Sequence, residues 1–321
     1  MPKVDETVPT LEVADALGLP PSELATRINN AQRILQDLGF QTVDAIAPRS
    51  WPVAGLFHYT SSDGFMSIVE SNSLRFSDCF FLNDGSEVHY ANQLLLAAVE
   101  RFCVGKPTMV QKFSRAVRDR IIETAMYARP LIFCLSSKPD LLNQWRDYGR
   151  DIVPYCFQLD PNELVKKDWS FQAHLIEMIY DEMVQKAILD DLLVRLSGVL
   201  RPLTRQLLDP KLHEWLVGQV VSQVWGVLVQ FKNPAYSAEQ EWRLIAYSPF
   251  IDGQAIEFRT NTLGIVPFIS RSPRLGTKLP IQHVWVGPSP WGDVSGYALS
   301  IFLRMKGYQQ VGVTVSSIPA R

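Results

Sequence analysis

Residues 56–78 read Leu56-Phe57-His58-Tyr59-Thr60-Ser61-Ser62-Asp63-Gly64-Phe65-Met66-Ser67-Ile68-Val69-Glu70-Ser71-Asn72-Ser73-Leu74-Arg75-Phe76-Ser77-Asp78. Leu56 to Thr60 has the short apolar and aromatic pattern of a strand. Ser61 or Ser62 can cap a helix running through Val69, because a serine oxygen accepts hydrogen bonds from first-turn amides. Leu74 to Ser77 reads as a second strand. The polar residues His58, Thr60 and Ser61 therefore fall where a strand ends and a helix opens. A histidine there can donate to a sugar hydroxyl, and a helix N-terminus favours an anion. The plainer reading is that His58 bonds a neighbouring carbonyl and Ser61 only caps.

Working outward, the first 50 residues are expected to be helical and separate. Ser22 can cap a helix whose residues Leu24, Ile28, Leu35 and Leu38 share a face, with Gly39 as a stop. A shorter helix is expected over Leu11–Leu17, and Pro48 and Pro52 make a linker. After the opening strands, Asn83-Asp84-Gly85 should turn the chain, and helices are expected from Ser86 and over 108–127. Strands follow at Leu131–Ser136 and Val153–Leu159. Residues 161–231 are expected to be mostly helical, including the amphipathic stretch Leu175–Leu200. Strands return at Glu241–Tyr247, Ala255–Arg259, Ile265–Ile269 and Ile281–Val286. A helix over Val294–Met305 and a strand over Val311–Val315 complete the pattern. Strands on both sides of a helical stretch indicate an α+β protein.

Composition narrows the function. The chain has 321 residues, 47% of them hydrophobic and 20% charged, which marks a globular protein. At ~150 residues per domain the length suggests about two domains. Thirty-one basic and 33 acidic residues leave a net charge of −2. That excludes a histone-like polycation and gives no charge support for nucleic-acid binding. Cys79, Cys103, Cys134 and Cys156 lack metal-finger spacing and read as reduced thiols. The five histidines are scattered, so no metal site is expected. The opening residues MPKVDETVPT carry acids and no apolar core, unlike a secretory signal. The longest uncharged run, Trp215–Phe231, falls short of a ~20-residue span. A cytoplasmic protein without membrane contact is expected. Phosphate loops, dinucleotide fingerprints, nucleophile elbows and zincin motifs are missing from the sequence.

Three further clusters carry polar chemistry. Glu239-Gln240-Glu241-Trp242-Arg243 leads into a strand, and alternation places Glu239, Glu241 and Arg243 on one face. A carboxylate there can steady a developing cation, or simply pair with Arg243. Trp145 and Tyr148, three residues apart, share a helical face and can sandwich a flat ring or plug a core. Leu82-Asn83-Asp84 with Ser86-Glu87 reads as turn and cap chemistry. Arg259, Arg271 and Arg274 are candidates to meet phosphates or to sit on the surface.

Read in order, LFHYTSSDGFMSIVESNSLRFSD, FLNDGSE, FCLSSKPDLLNQWRDYG, EQEWRLI, VWVGP and SSIPAR resemble the bacterial domain of unknown function 2971 family, from about Leu56 to the C-terminus. More distantly, the H-Y-T opening looks like the first strand of ADP-ribosyltransferase-type folds. That resemblance implies a mixed-sheet α+β domain over 51–321, a helical insertion over about 161–231, and an N-terminal helical extension over 1–50. It implies NAD as substrate, with Glu241 as the catalytic acid and His58 as the ribose binder. Trp145 or Tyr148 would pack on the nicotinamide, and Thr60 or Ser61 would meet a hydroxyl or phosphate. Tyr59, Ser136 and Arg243 complete the implied nucleotide-binding set. It further implies transfer of ADP-ribose to a macromolecular acceptor, or hydrolysis, in a toxin or phage-defence setting. A non-catalytic recognition module whose N-terminal helices bind a protein partner is the competing expectation. The chain departs from the family pattern: no tyrosine follows the Leu74–Ser77 strand as expected. Glu239-x-Glu241 is similar to the arginine-specific subclass but lacks its leading arginine and serine-threonine-serine strand.

Overall fold

The computed structural model describes residues 21–48, 50–51, 55–81, 87–124, 130–149, 151–203, 209–246, 256–261 and 264–319. The expected Leu11–Leu17 helix and the Asn83-Asp84-Gly85-Ser86 turn lie outside them. The chain divides into two compact units. One gathers Met1–Pro48, Ser86–Ala128 and Asp181–Phe231; the other gathers Arg49–Gly85, Arg129–Tyr180 and Lys232–Arg321. Met1–Pro48, most of the segment expected as an N-terminal extension, is grouped with two later stretches, Ser86–Ala128 and Asp181–Phe231, in one unit.

The first unit is helical: α1 (Pro21–Leu35), α2 (Leu38–Ile46), α4 (Glu87–Cys103), α5 (Thr108–Thr124), α7 (Glu182–Leu200) and α8 (Pro210–Leu228). Each presents an apolar stripe to a shared core. Leu24, Ile28, Leu35, Leu38 and Val43 are all at most 4% exposed, so the amphipathic face of the N-terminal helices is used within this unit. Ser22 lies inside α1 rather than at its cap. Gly39 does not stop a helix either. The break comes earlier, at Asp37 with φ 59°, and Gly39 lies in α2, where a Cβ would run into the Gln223 backbone carbonyl. The uncharged Trp215–Phe231 run forms most of α8, which starts with Asp209 accepting from the Leu212 amide and Pro210 in the first turn. Among the described residues no helix is long and apolar enough to cross a membrane.

The second unit is built on a ten-stranded mixed sheet, counted among the described residues. Its strands are β1 (Leu56–Thr60), β2 (Leu74–Asp78), β3 (Leu131–Ser136), β4 (Tyr155–Leu159), β5 (His174–Glu177), β6 (Glu241–Ala246), β7 (Glu257–Asn261), β8 (Gly264–Arg271), β9 (Ile281–Val286) and β10 (Gly312–Val315). Helices α3 (Ser62–Ser71), the single turn α6 (Pro161–Leu164) and α9 (Gly292–Met305) belong to the same unit. The α+β class holds. The order runs β10-β9-β4-β1-β3-β2-β8-β7, with β6 paired to both β3 and β5. Only the β9–β10 pair is parallel among the described strands.

β3 is the hinge of this arrangement. One of its edges pairs with β6 from Leu131 to Ser136. Its other edge is shared: β2 takes the start, at Leu131 and Ile132, and β1 takes the end, at Ser136. Between them the sheet forks, and the middle of β3 has no strand partner on that side. β5 was read as the start of a long helix. A four-residue apolar run cannot be told from a helical turn by periodicity. Asp181 is the divider: its side chain accepts from the amides of Met183 and Val184 and starts α7 afresh.

Candidate functional site

The fork creates the site. The Cys134 carbonyl, in the middle of β3 where the edge away from β6 has no strand partner, accepts from His58 Nδ1 at 2.8 Å. A carbonyl only accepts, so Nδ1 carries the proton and Nε2 is left as an acceptor. The ring stacks on Phe133 at 4.3 Å and meets Phe157 edge-on at 5.3 Å. Burial, and to a lesser degree the charge of Arg259, bring the His58 pKa down to about 4, against the Cys134 hydrogen bond. The imidazole is therefore neutral at pH 7 and suited to accept from a hydroxyl rather than to hold a phosphate. Ser61 caps α3, accepting from the Gly64 amide at 3.1 Å. Thr60 stands beside it, so close that a Cβ on Gly64 would meet Thr60 Oγ1.

Glu239 and Glu241 reach the same place by a backbone device that alternation does not describe. Glu239 ends the 3-10 turn Pro234–Glu239, Glu241 begins β6, and Gln240 between them is left-handed at φ 46°. Both carboxylates consequently grip one ammonium. Lys232 Nζ donates to Glu239 Oε2 at 2.5 Å and to Glu241 Oε2 at 2.7 Å. Arg243 adds a fork, Nε to Glu241 Oε1 at 2.6 Å and a terminal nitrogen to Oε2 at 2.9 Å. All four side chains are at most 8% exposed. Burial alone would raise the Glu241 carboxyl. Arg243 and Lys232 outweigh it and hold the group well below the usual carboxylate range. The Glu241–Arg243 pairing expected from sequence is present, and β6 lies between β3 and β5, so it is buried inside the sheet rather than on an edge. Lys232 had not been singled out. The only signal for it was a lone lysine closing a long uncharged run, seven residues before a Glu-x-Glu.

The two aromatics pack in the same small cluster but take different polar partners. Tyr148 lies in the π turn Trp145–Gly149, and its hydroxyl approaches Glu239 Oε2 at 3.5 Å. Burial and the Glu241 carboxylate push its phenol far above the ordinary range, so it stays protonated. Trp145 is 5% exposed, donates to Asp140 at 2.8 Å and packs edge-on against Tyr59 at 4.8 Å. It plugs a small core with Phe57, Tyr59 and Cys156 and makes no sandwich with Tyr148. Tyr59 points its hydroxyl into the Lys138–Leu141 loop, donating at 2.9 Å and accepting at 3.0 Å. Ser136 Oγ donates to the Glu239 carbonyl at 2.8 Å and steadies the Glu-x-Glu turn from β3.

His58, Tyr59, Gln144, Tyr148, Glu239 and Glu241 thus line one pocket with Phe57, Cys134 and Leu135. Its cavity is about 20 Å³, room for one water. Thr60, Ser61, Ser136, Trp145 and Arg243 stand outside the lining. Arg259 instead donates to Ser77 at 2.9 Å. Fully buried Arg271 donates to the carbonyls of Phe171 and Leu164, both at 3.0 Å, and lies over the Trp169 ring at 4.3 Å. Arg274 faces Asp168 at 3.5 Å on the surface.

Residues 144–244 match a family model described as a protein of unknown function, DUF2971. The match begins at Gln144, takes in Tyr148, Lys232, Glu239 and Glu241, and ends on β6. It agrees with the family resemblance read from the motifs, and it carries no link to ADP-ribosyltransferases. No curated protein matches the chain, and neither does any solved structure.

Proposed function

We propose that the sheet unit is an ADP-ribosyltransferase-like catalytic domain that consumes NAD. The observation that supports this reading is the convergence of His58, Tyr148 and the Glu239/Glu241 pair, from three separate stretches of chain, on one pocket. Neutral His58 accepts from a ribose hydroxyl. The bond between ribose C1′ and the nicotinamide nitrogen breaks, and its electron pair neutralises the pyridinium. The ionised carboxylate pair stabilises the oxocarbenium that remains. A macromolecular nucleophile then attacks C1′ and loses its proton, or water does so and releases ADP-ribose. A cavity of about 20 Å³ cannot take nicotinamide, so NAD binding under this reading requires the pocket to open. Such an activity suits a bacterial toxin or phage-defence protein.

The test is NAD binding by calorimetry, with nicotinamide release and label transfer followed on the full chain. Wild type should release nicotinamide, and Glu241→Gln should slow release by roughly 10²–10³-fold. Because Glu241 also neutralises buried cations, Tyr148→Phe serves as a second variant that leaves the ion network in place. Equal turnover in wild type and Glu241→Gln removes that residue from the chemistry. Free ADP-ribose with no modified macromolecule identifies hydrolysis.

One observation favours a second reading, a non-catalytic recognition module. Both Glu241 oxygens already hold cations in a nearly filled pocket. Under this reading NAD gives no binding heat, Glu241→Gln alters stability alone, and the exposed polar side of α1 is the surface available to a protein partner.

A further inference from the structure

The helical unit carries a second and much larger cavity, about 410 Å³ and partly open to solvent, within the size range of small-molecule sites. Helix α4 contributes Leu95, Val99 and Phe102, and α7 contributes Leu193, Leu196 and Leu200. α5 supplies Phe113 and Val117, and α8 supplies Val220 and Val224. Apart from half-buried Phe102, these walls are at most 8% exposed, so the void faces side chains otherwise placed as core. Protein interiors are close-packed, and apolar side chains that line a cavity of this size forgo the contacts a filled core would give them.

The two rows end alike. The α4 row runs Leu95, Val99, Phe102 and finishes at exposed Lys106; the α7 row runs Leu193, Leu196, Leu200 and finishes at exposed Arg201. Among the described residues these are the charged side chains that line the cavity, and both are cations. Lys106 Nζ lies over the Phe102 ring at 4.9 Å. Cations near helix C-termini complement the helix dipole. That account explains their sign but not the unfilled apolar space behind them.

We propose that this cavity binds a single-chain amphiphile with an anionic head, the alkyl chain between α4, α5, α7 and α8 and the head at Lys106 and Arg201. The apolar length selects the chain, and the two cations of the lining select a carboxylate or phosphate over a neutral head. The site lies wholly within the helical unit, and its existence is independent of any chemistry in the sheet unit.

Dodecanoate, dodecyl phosphate and dodecan-1-ol, each below its micellar concentration, would be titrated into the full chain by calorimetry and thermal-shift measurement. The expected result is one anion per chain with a raised Tm, and the alcohol weaker by about tenfold. The tighter of the two anions identifies the head group. The double variant Lys106→Gln/Arg201→Gln should lose the anion preference and keep alcohol binding. Ser197→Phe, at a half-buried wall position, should block all three while circular dichroism stays unchanged. Failure of all three to bind wild type overturns the proposal. So does equal affinity for anions and alcohol, or undiminished binding to folded Ser197→Phe.

Discussion

At the residue scale, the molecule's most exacting position is Lys232. Its side chain is 1% exposed, and its ammonium answers two buried carboxylates. Breaking such a cluster from one side costs more than the pair contributes, because the orphaned charges stay desolvated. Lys232→Met should therefore lower stability by about 3–5 kcal/mol in urea unfolding, and Lys232→Arg should recover part of the loss. His58 gives a pH signature. Its folded pKa of about 4 lies below its ordinary 6.5, so as pH falls the unfolded chain takes up this proton first. The stability it contributes is complete above pH 6.5 and declines between 6.5 and 4, by at most ~3 kcal/mol. Glu241 adds a separate loss at lower pH, as its depressed carboxyl is finally protonated. Denaturant unfolding of wild type and His58→Gln at several pH values separates them. The variant should flatten the upper window and leave the lower one.

At the element scale, two contacts decide how neighbouring pieces meet. α2 approaches α8 through Gly39, which leaves no room for a Cβ beside the Gln223 carbonyl. Gly39→Ala would ordinarily favour a helix. Here it should destabilise by about 1–3 kcal/mol, because the helices must separate to admit a methyl group. Ser61→Ala should cost about 1 kcal/mol, the usual loss of an N-cap, measurable by thermal unfolding. The strand–helix–strand 56–78 was legible because each part carries its own local signal: aromatic strand, serine cap, apolar helix face, strand. β5 was not, since its four residues merge with the apolar periodicity of α7 and only Asp181 separates them. The Glu-x-Glu cluster was visible, but its convergence on Lys232 depends on the left-handed Gln240, which carries no glycine to announce it.

At the scale of the whole molecule, chain order and spatial order diverge. Residues of α1 and α2 share a compact unit with α7 and α8, while the strands on either side of these helices share the other. Native-state hydrogen exchange in mild denaturant should reflect this. Amides of α1, α2, α7 and α8 should lose protection together, apart from those of β1, β3 and β6. A single loss of protection across all these elements would show that the units unfold as one. The sequence by itself determined the α+β class, most strands and helices, and the polar residues worth following. Those follow from local propensity, caps and hydrophobic period, which act over a few residues. Only the tertiary structure decided that β3 forks between β1 and β2, leaving a carbonyl for His58. It also decided that Lys232 joins Arg243 in answering two buried glutamates, and that four helices leave an apolar cavity edged by Lys106 and Arg201. Each of these depends on groups far apart in the chain, whose charge and volume match only after the backbone has brought them together.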